Sequence, residues 1–390
     1  MKTKMSGIKD IVMEEVNEGL IAGANVLVMK ENEIIYQDSF GYANIAAKKP
    51  MKLDTIVRLF SMTKPITAVA TLILKDRGIL KLDDPVSKYL NGFSNQMVDE
   101  KDKLVKAHRT VTIYDLLTMT AGVLYPEGGC IAGEKIGEVF QNYINEVHEN
   151  RACSTVEFCN RLGKAPLGYQ PGSKWKYGSC ADVLGGVIEV ASGMKFSEFL
   201  KKEIFEPLGM KDTGFYVTAD KLERFSEVYE YNNEKHQLML YRGDNLAMMN
   251  FDQEPQFESG GAGLTSTILD YAKFAKMLVN EGSYQGKQIV SKESMEEMTR
   301  NHLTKEQKIE FNWEFLKGFG YGYLVRVLED TNLSGRKSSV GTYGWDGWTG
   351  PYIGVDPVKK ITVLYMIQKV NSGTTKTTVR IHDYVYECLS

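Results

Sequence analysis

The chain has 390 residues, 43% of them apolar, with 47 Lys and Arg against 50 Asp and Glu for a formal net charge of -3. That is enough apolar material for a large core, and the basic residues are scattered rather than massed, which excludes the electrostatic footprint of a nucleic-acid or polybasic membrane-surface protein. No run reaches the ~18 apolar residues of a membrane span, and Met1 to Glu14 holds no apolar stretch of signal-peptide length, so a cytoplasmic location is expected.

In chain order, a helix is predicted from about Ile8 to Leu20, then strands over Ala24 to Lys30 and Glu33 to Phe40 around a polar turn at Glu31 and Asn32. Thr55 to Phe60 is a short strand-like run. Ile66, Val69, Ala70, Ile73 and Leu74 then fall at i, i+3, i+4, i+7 and i+8, one apolar face of a helix that stops near Gly78. From about Asp84 to Pro255, helical patterns alternate with long polar loops, notably Asn91 to Arg109 and Gly122 to Cys153. Thr112 with Asp115, and Thr267 with Asp270, have the spacing of helix capping boxes. A helix over Asp182 to Ala191 ends at Gly193. Strands are predicted over Tyr321 to Leu328, Tyr352 to Val355 and Ile361 to Gln368, with a turn at Asp356 to Lys359, and a last helix over Thr377 to Cys388.

Strands thus sit at both ends and helices in the middle. The simplest packing is a single catalytic domain, 1–390, of the α+β class. An antiparallel sheet flanked by helices forms an α/β lobe from about 1–84 and 256–390, and a helical lobe, about 85–255, is inserted into it. A cleft between the lobes is the expected place for chemistry.

The five cysteines (Cys130, Cys153, Cys159, Cys180, Cys388) have neither an even count nor C-x-x-C spacing, and H-E-x-x-H is absent. Neither a disulfide framework nor a metal site is expected, and no cofactor. G-x-S-x-G, G-x-x-x-x-G-K-[ST] and G-x-G-x-x-G are also absent. S-x-x-K occurs five times, at Ser6/Lys9, Ser61/Lys64, Ser173/Lys176, Ser192/Lys195 and Ser334/Lys337. Chemistry asks for a serine and a base on one helix face, and a serine at a helix start also lends its backbone N–H to a developing oxyanion. Only Ser61 opens a strongly amphipathic helix; Ser192 lies at a helix end, and Ser6, Ser173 and Ser334 fall in predicted loops. On this pattern alone Ser61 also reads as an N-cap whose hydroxyl bonds the helix amides.

The stretch Leu59-Phe60-Ser61-Met62-Thr63-Lys64-Pro65 resembles the active-site segment of the serine β-lactamase-related superfamily, in particular its class C β-lactamase, D-aminopeptidase and family VIII carboxylesterase branch. Leu82 to Leu90, Val111 to Gly122, Tyr177-Gly178-Ser179, Ser259 to Ser266 and Gly344-Trp345-Asp346-Gly347-Trp348 resemble further blocks of that family, in family order. The resemblance implies a penicillin-binding-protein-like fold and a serine hydrolase working through an acyl-enzyme. Ser61 is then the nucleophile, with Lys64 and Tyr177 handling its proton. The backbone N–H groups of Ser61 and Trp348 form the oxyanion hole, and Ser179, Trp345 and Gly347 contact substrate. Tyr125 is expected in a lid, from the length of its loop.

Trp345 stands where Lys or His is usual in the third motif, and Ser179 replaces the asparagine of Y-x-N. Losing that cation removes a charge-assisted contact to a substrate carboxylate, which favours a carboxylesterase acting on small acyl esters. A β-lactamase or D-amino-acid-specific peptidase acting on amides is the alternative, and a catalytically silent binding protein of the same fold a third reading. The expected partner is a small-molecule ester or amide.

Overall fold

The computed structural model describes residues 5–244, 246–247 and 250–389. Both ends of the chain build one antiparallel sheet. Phe319–Tyr321, Arg326–Leu328, Tyr343–Asp346, Tyr352–Asp356, Ile361–Ile367, Gly23–Lys30, Glu33–Asn44 and Lys49–Pro50 lie side by side in that order. The central pairing joins the termini, with Val26 opposite Tyr365 and Leu27 opposite Leu364.

The strand Gly23–Lys30 is apolar at nearly every position because both of its faces are covered. Val26 and Val28 point into a cluster with Ile8 and Val12 of helix Gly7–Asn17 and Ile381 and Val385 of helix Lys376–Leu389. Leu27 and Met29 point the other way, into the main core with Tyr271 and Phe274 of helix Ile268–Val279. Each such aliphatic side chain contributes roughly 1.5–3 kcal/mol on burial. Glu31 and Asn32 turn the first hairpin with φ of 51° and 71°. Asp356 closes the last one by accepting from the amides of Val358 and Lys359.

Most helices lie between the two halves of the sheet. Thr63–Asp76 is buried from Thr63 to Leu74 and packs on Cys180–Ser192, which ends at a left-handed Gly193. Thr112 and Asp115 form the expected reciprocal box, whereas Thr267 caps its helix by accepting from the Asp270 amide while the Asp270 carboxylate is bonded to Asp212 N and Lys273 instead.

Four expectations are corrected. Tyr321 to Leu328 is not one strand but a tight hairpin turning at Leu324, whose φ is 57°. Gly122 to Cys153 is not a long loop: it carries helix Ile131–His148, whose Ala132, Ile136, Phe140 and Tyr143 face the core. Gly133 and Gly137 lower the helical propensity of that segment and hide it. Asn91 to Arg109 contains the hairpin Met97–Asp99 with Leu104–Lys106. Ser334 ends a short helix, Thr331–Ser334, rather than lying in a loop.

Candidate active site

Val57–Arg58 pairs with Thr265–Ser266 and delivers the chain into a 3-10 turn, Phe60–Met62, that runs on into helix Thr63–Asp76. Phe60 has φ 44°, a left-handed conformation that costs a bulky residue about 1–3 kcal/mol. Its ring is fixed edge-on against Trp348 at 5.3 Å and Phe251 at 6.2 Å. The Ser61 hydroxyl makes no capping bond at the start of this helix. It accepts instead from Lys64 Nζ at 3.1 Å.

Lys64 is fully buried. Its ammonium donates to Ser61, to the Tyr125 hydroxyl at 3.0 Å and to the Gly261 carbonyl at 2.8 Å, and lies 4.6 Å from the centre of the Tyr177 ring. Burial pushes its pKa down to about 8, against the opposing pull of Asp182, Cys180 and Asp346. Burial also pushes the Tyr177 phenol above its ordinary range, while the Ser61 hydroxyl and the Trp345 N–H draw it part of the way back.

The strand Tyr343–Asp346 carries Trp345 to this centre, where its indole Nε1–H donates to the Tyr177 hydroxyl at 3.1 Å. Just beyond, Gly347 lies against the segment before Ser61 so closely that a Cβ would sit 2.2 Å from the Leu59 carbonyl. Its N–H donates to Pro351 O at 2.8 Å and Gly350 N–H to Gly347 O at 2.8 Å, which bends Trp348 back toward Phe60. No protein acceptor takes the Trp348 amide among the described residues. The Trp348 side chain is held by Asn371 Oδ1 at 2.8 Å.

Ser61 opens on a cavity of about 440 Å³. Its lining is aromatic and aliphatic at Tyr177, Trp313, Phe315, Leu316, Trp345 and Trp348, and polar at Arg326, Asp346 and the Asn371 to Thr374 turn. Arg326 is the one cation lining it among the described residues, and it is paired with Asp346 at 2.5 Å, which also accepts from Thr374.

The structure therefore brings Ser61, Lys64, Tyr177, Trp345, Trp348 and Tyr125 together. Ser179 is not among them: it is fully buried, and its hydroxyl donates to Leu124 O at 3.0 Å at the start of helix Cys180–Ser192. Gly347 has its amide committed to Pro351, and its lack of a side chain serves the contact with Leu59. Tyr125 is no lid residue: it packs edge-on against Tyr177 at 5.7 Å and bonds Lys64. Sequence reasoning missed Trp313, Arg326 and Asp182. The last two carried a signal, a lone charge inside an otherwise apolar run (Leu324-Val325-Arg326-Val327-Leu328) and an otherwise apolar helix (Cys180 to Ile188). Among the described residues no group of three or more His, Cys, Asp or Glu side chains could hold a metal ion, and no helix is long and apolar enough to cross a membrane.

Residues 8–385 match the Beta-lactamase family, and the chain belongs to that family of hydrolases. Esterase EstB of Burkholderia gladioli is 30% identical over 393 residues, covering 97% of this chain and 94% of its own. Penicillin-binding protein 4* of Bacillus subtilis is 27% identical over 351 residues, covering 88% and 67%. The solved structure of "EstCE1, a hydrolase with promiscuous acyltransferase activity" superposes with a TM-score of 0.82 at 24% identity, covering 98% of this chain and 99% of that one.

Proposed function

We propose that the protein is a carboxylesterase for uncharged esters, with Ser61 as nucleophile and Lys64 and Tyr177 as its proton-handling partners. The observation that carries this reading is the cavity beside Ser61: Arg326, the one cation lining it among the described residues, is paired with Asp346; the family resemblance adds that Trp345 stands where Lys or His is usual. The similarity to Esterase EstB supports it.

The chemistry follows from the hydrogen bonds. A neutral Lys64 amine has two N–H donors, for Gly261 O and the Tyr125 oxygen, and a lone pair left facing Ser61 Oγ. That lone pair takes the serine proton as the oxygen attacks the ester carbonyl. With a pKa of about 8, Lys64 holds an appreciable neutral fraction near neutral pH, which an ordinary lysine would not. Tyr177, reached by both Ser61 and Trp345, gives its own phenolic proton to the departing alcohol, and the phenolate left behind is reprotonated at the expense of the Lys64 ammonium. The amides of Ser61 and Trp348 receive the oxyanion, where loss of one donor typically costs ~10²–10³ in rate. Water then releases the acyl group.

Hydrolysis of p-nitrophenyl butyrate beside a chromogenic cephalosporin, by the wild type and Ser61→Ala, tests the reading. Fast ester cleavage, slow cephalosporin turnover and an inert Ser61→Ala are expected. The similarity to penicillin-binding protein 4* favours the second reading, a β-lactamase or D-amino-acid-specific peptidase, and comparable cephalosporin turnover would decide for it. A wild type that leaves no covalent adduct with a fluorophosphonate would instead be a silent binding protein.

A further inference from the structure

Helix Cys180–Ser192 is buried along its first nine residues, and one of them is an acid, Asp182, at 3% exposure. A carboxylate in such a place is costly unless hydrogen-bonded or matched by charge. Its Oδ1 accepts from the Ser259 hydroxyl and from the Gly261 N–H at 3.0 Å. Ser259 Oγ itself accepts from the Ala262 N–H at 2.9 Å, so its single proton goes to Asp182. Both hydrogen bonds favour the ionised form of the carboxylate.

The Ala262 nitrogen and the Gly261 oxygen belong to one peptide unit. Its nitrogen end is tied to Ser259 and through it to Asp182; its oxygen end accepts from Lys64. The paired glycines make this possible. A Cβ on Gly261 would sit 2.9 Å from Asp182 Oδ2, and one on Gly260 would sit 2.2 Å from Ala181 O. Thr67, one turn along from Lys64, donates to Gly260 O at 2.7 Å and holds the same turn from the other side.

We propose that Asp182 is a positioning residue for Lys64: it anchors, through Ser259, the peptide that holds the lysine, and it supplies the counter-charge for the ammonium formed when Lys64 takes the proton of Ser61. The inference rests on the roles of Ser61 and Lys64 proposed above. In that step the Ser61 O–H bond breaks, an N–H bond forms on Lys64, and the serine oxygen bonds the ester carbon; the positive charge left on Nζ is the one Asp182 offsets. The titratable and charged groups acting around Lys64 are Ser61, Tyr125, Tyr177, Cys180, Asp182 and Asp346. Asp346 is already matched by Arg326, which leaves Asp182 as the carboxylate whose direct partners are neutral. In keeping with this, Asp182 is the strongest charge acting on Lys64 after burial itself, and burial raises Asp182 with Lys64 foremost among the groups that oppose it.

Asp182→Asn retains an acceptor for Ser259 and Gly261 and removes the charge. For p-nitrophenyl butyrate, kcat should fall ~10-fold with KM within ~2-fold, and the acid limb of kcat/KM should move ~1 pH unit lower. An unmoved acid limb, with or without loss of rate, overturns the proposal. Should Asp182→Asn not fold, Ser259→Ala unpins the same peptide and should lower kcat ~10-fold; wild-type kcat there overturns it equally. The wild type in the same assay separates the two levels: no ester cleavage and no phosphonate adduct on Ser61 would sink the esterase reading and this inference with it, whereas an active wild type with an unmoved acid limb in Asp182→Asn sinks the inference alone.

Discussion

The indole N–H of Trp345 donates to the Tyr177 hydroxyl across 3.1 Å, joining the strand Tyr343–Asp346 to the phenol that faces Ser61. Trp345 is 2% exposed and lies tilted beside the Tyr177 ring at 5.6 Å, so the bond is made in a dry setting where a phenolate is costly. Trp345→Phe keeps the packing and deletes the donor. The kcat for p-nitrophenyl butyrate should fall ~5–10-fold, the equivalent of about 1 kcal/mol for one hydrogen bond, with KM little changed. A KM effect alone would mean that Trp345 only lines the pocket.

Lys64 ties activity and stability to pH in the same window. With its pKa lowered to about 8, kcat/KM should rise with pH up to that value and then level off. For stability, the folded chain binds fewer protons at this site than the unfolded chain between about 8 and the ordinary 10.5, so Lys64 destabilises the fold below about 8 and this cost fades as pH rises toward 10.5. In Lys64→Met the cost is absent throughout. Urea unfolding at pH 7.5, 9 and 10 should therefore show the wild type gaining on Lys64→Met as pH increases; a constant difference would place the lysine charge elsewhere.

Trp313 is 47% exposed, lines the cavity beside Ser61, and packs edge-on against Tyr177 at 5.4 Å. With Phe315 and the buried Leu316 it gives that cavity an apolar lining, suited to the distal carbons of an acyl group. Trp313→Ala should raise KM for p-nitrophenyl octanoate ~10-fold and leave p-nitrophenyl acetate nearly unaffected. An equal loss on both esters would show that the residue acts through Tyr177 instead.

Arg326 and Asp346 form a pair in which the arginine is almost wholly enclosed. Arg326→Met strands the carboxylate in that setting and should destabilise the protein by about 3–5 kcal/mol, read from urea unfolding. The double change Arg326→Met with Asp346→Leu should recover much of that loss.

The local pattern, an amphipathic helix opening at Ser61, set Ser61 and Lys64 apart from the other S-x-x-K pairs but left an N-cap reading open; their proposed roles, and Tyr177 itself, came from the resemblance of the surrounding blocks to the family. The terminal strands were legible for a similar reason, their β-branched runs ending at Glu31-Asn32 and at Asp356. What stayed hidden depends on contacts far apart in the chain. The partnership of Asp182 with Ser259, and of Tyr125 with Lys64, has no local spacing to announce it. Strand Tyr343–Asp346 was hidden because Gly344 weakens its strand propensity; the glycine is needed there because a Cβ would sit 2.0 Å from Ile353 O of the neighbouring strand. The burial of Ser179 came from the return of the Leu124 carbonyl onto it.

The pairing of Val26 with Tyr365 has a consequence for synthesis. At ribosomal rates of ~5–20 residues per second, strand Gly23–Lys30 waits roughly 20–70 s for its partner Ile361–Ile367 to be made. During that interval its apolar edge is unsatisfied and Ser61 lacks the strand that bears Trp345. Until Ile361–Ile367 emerges the nascent chain carries this unpaired apolar edge, so a ribosome stalled short of Ile361 would leave a product for the proteolytic machinery rather than a weakened enzyme.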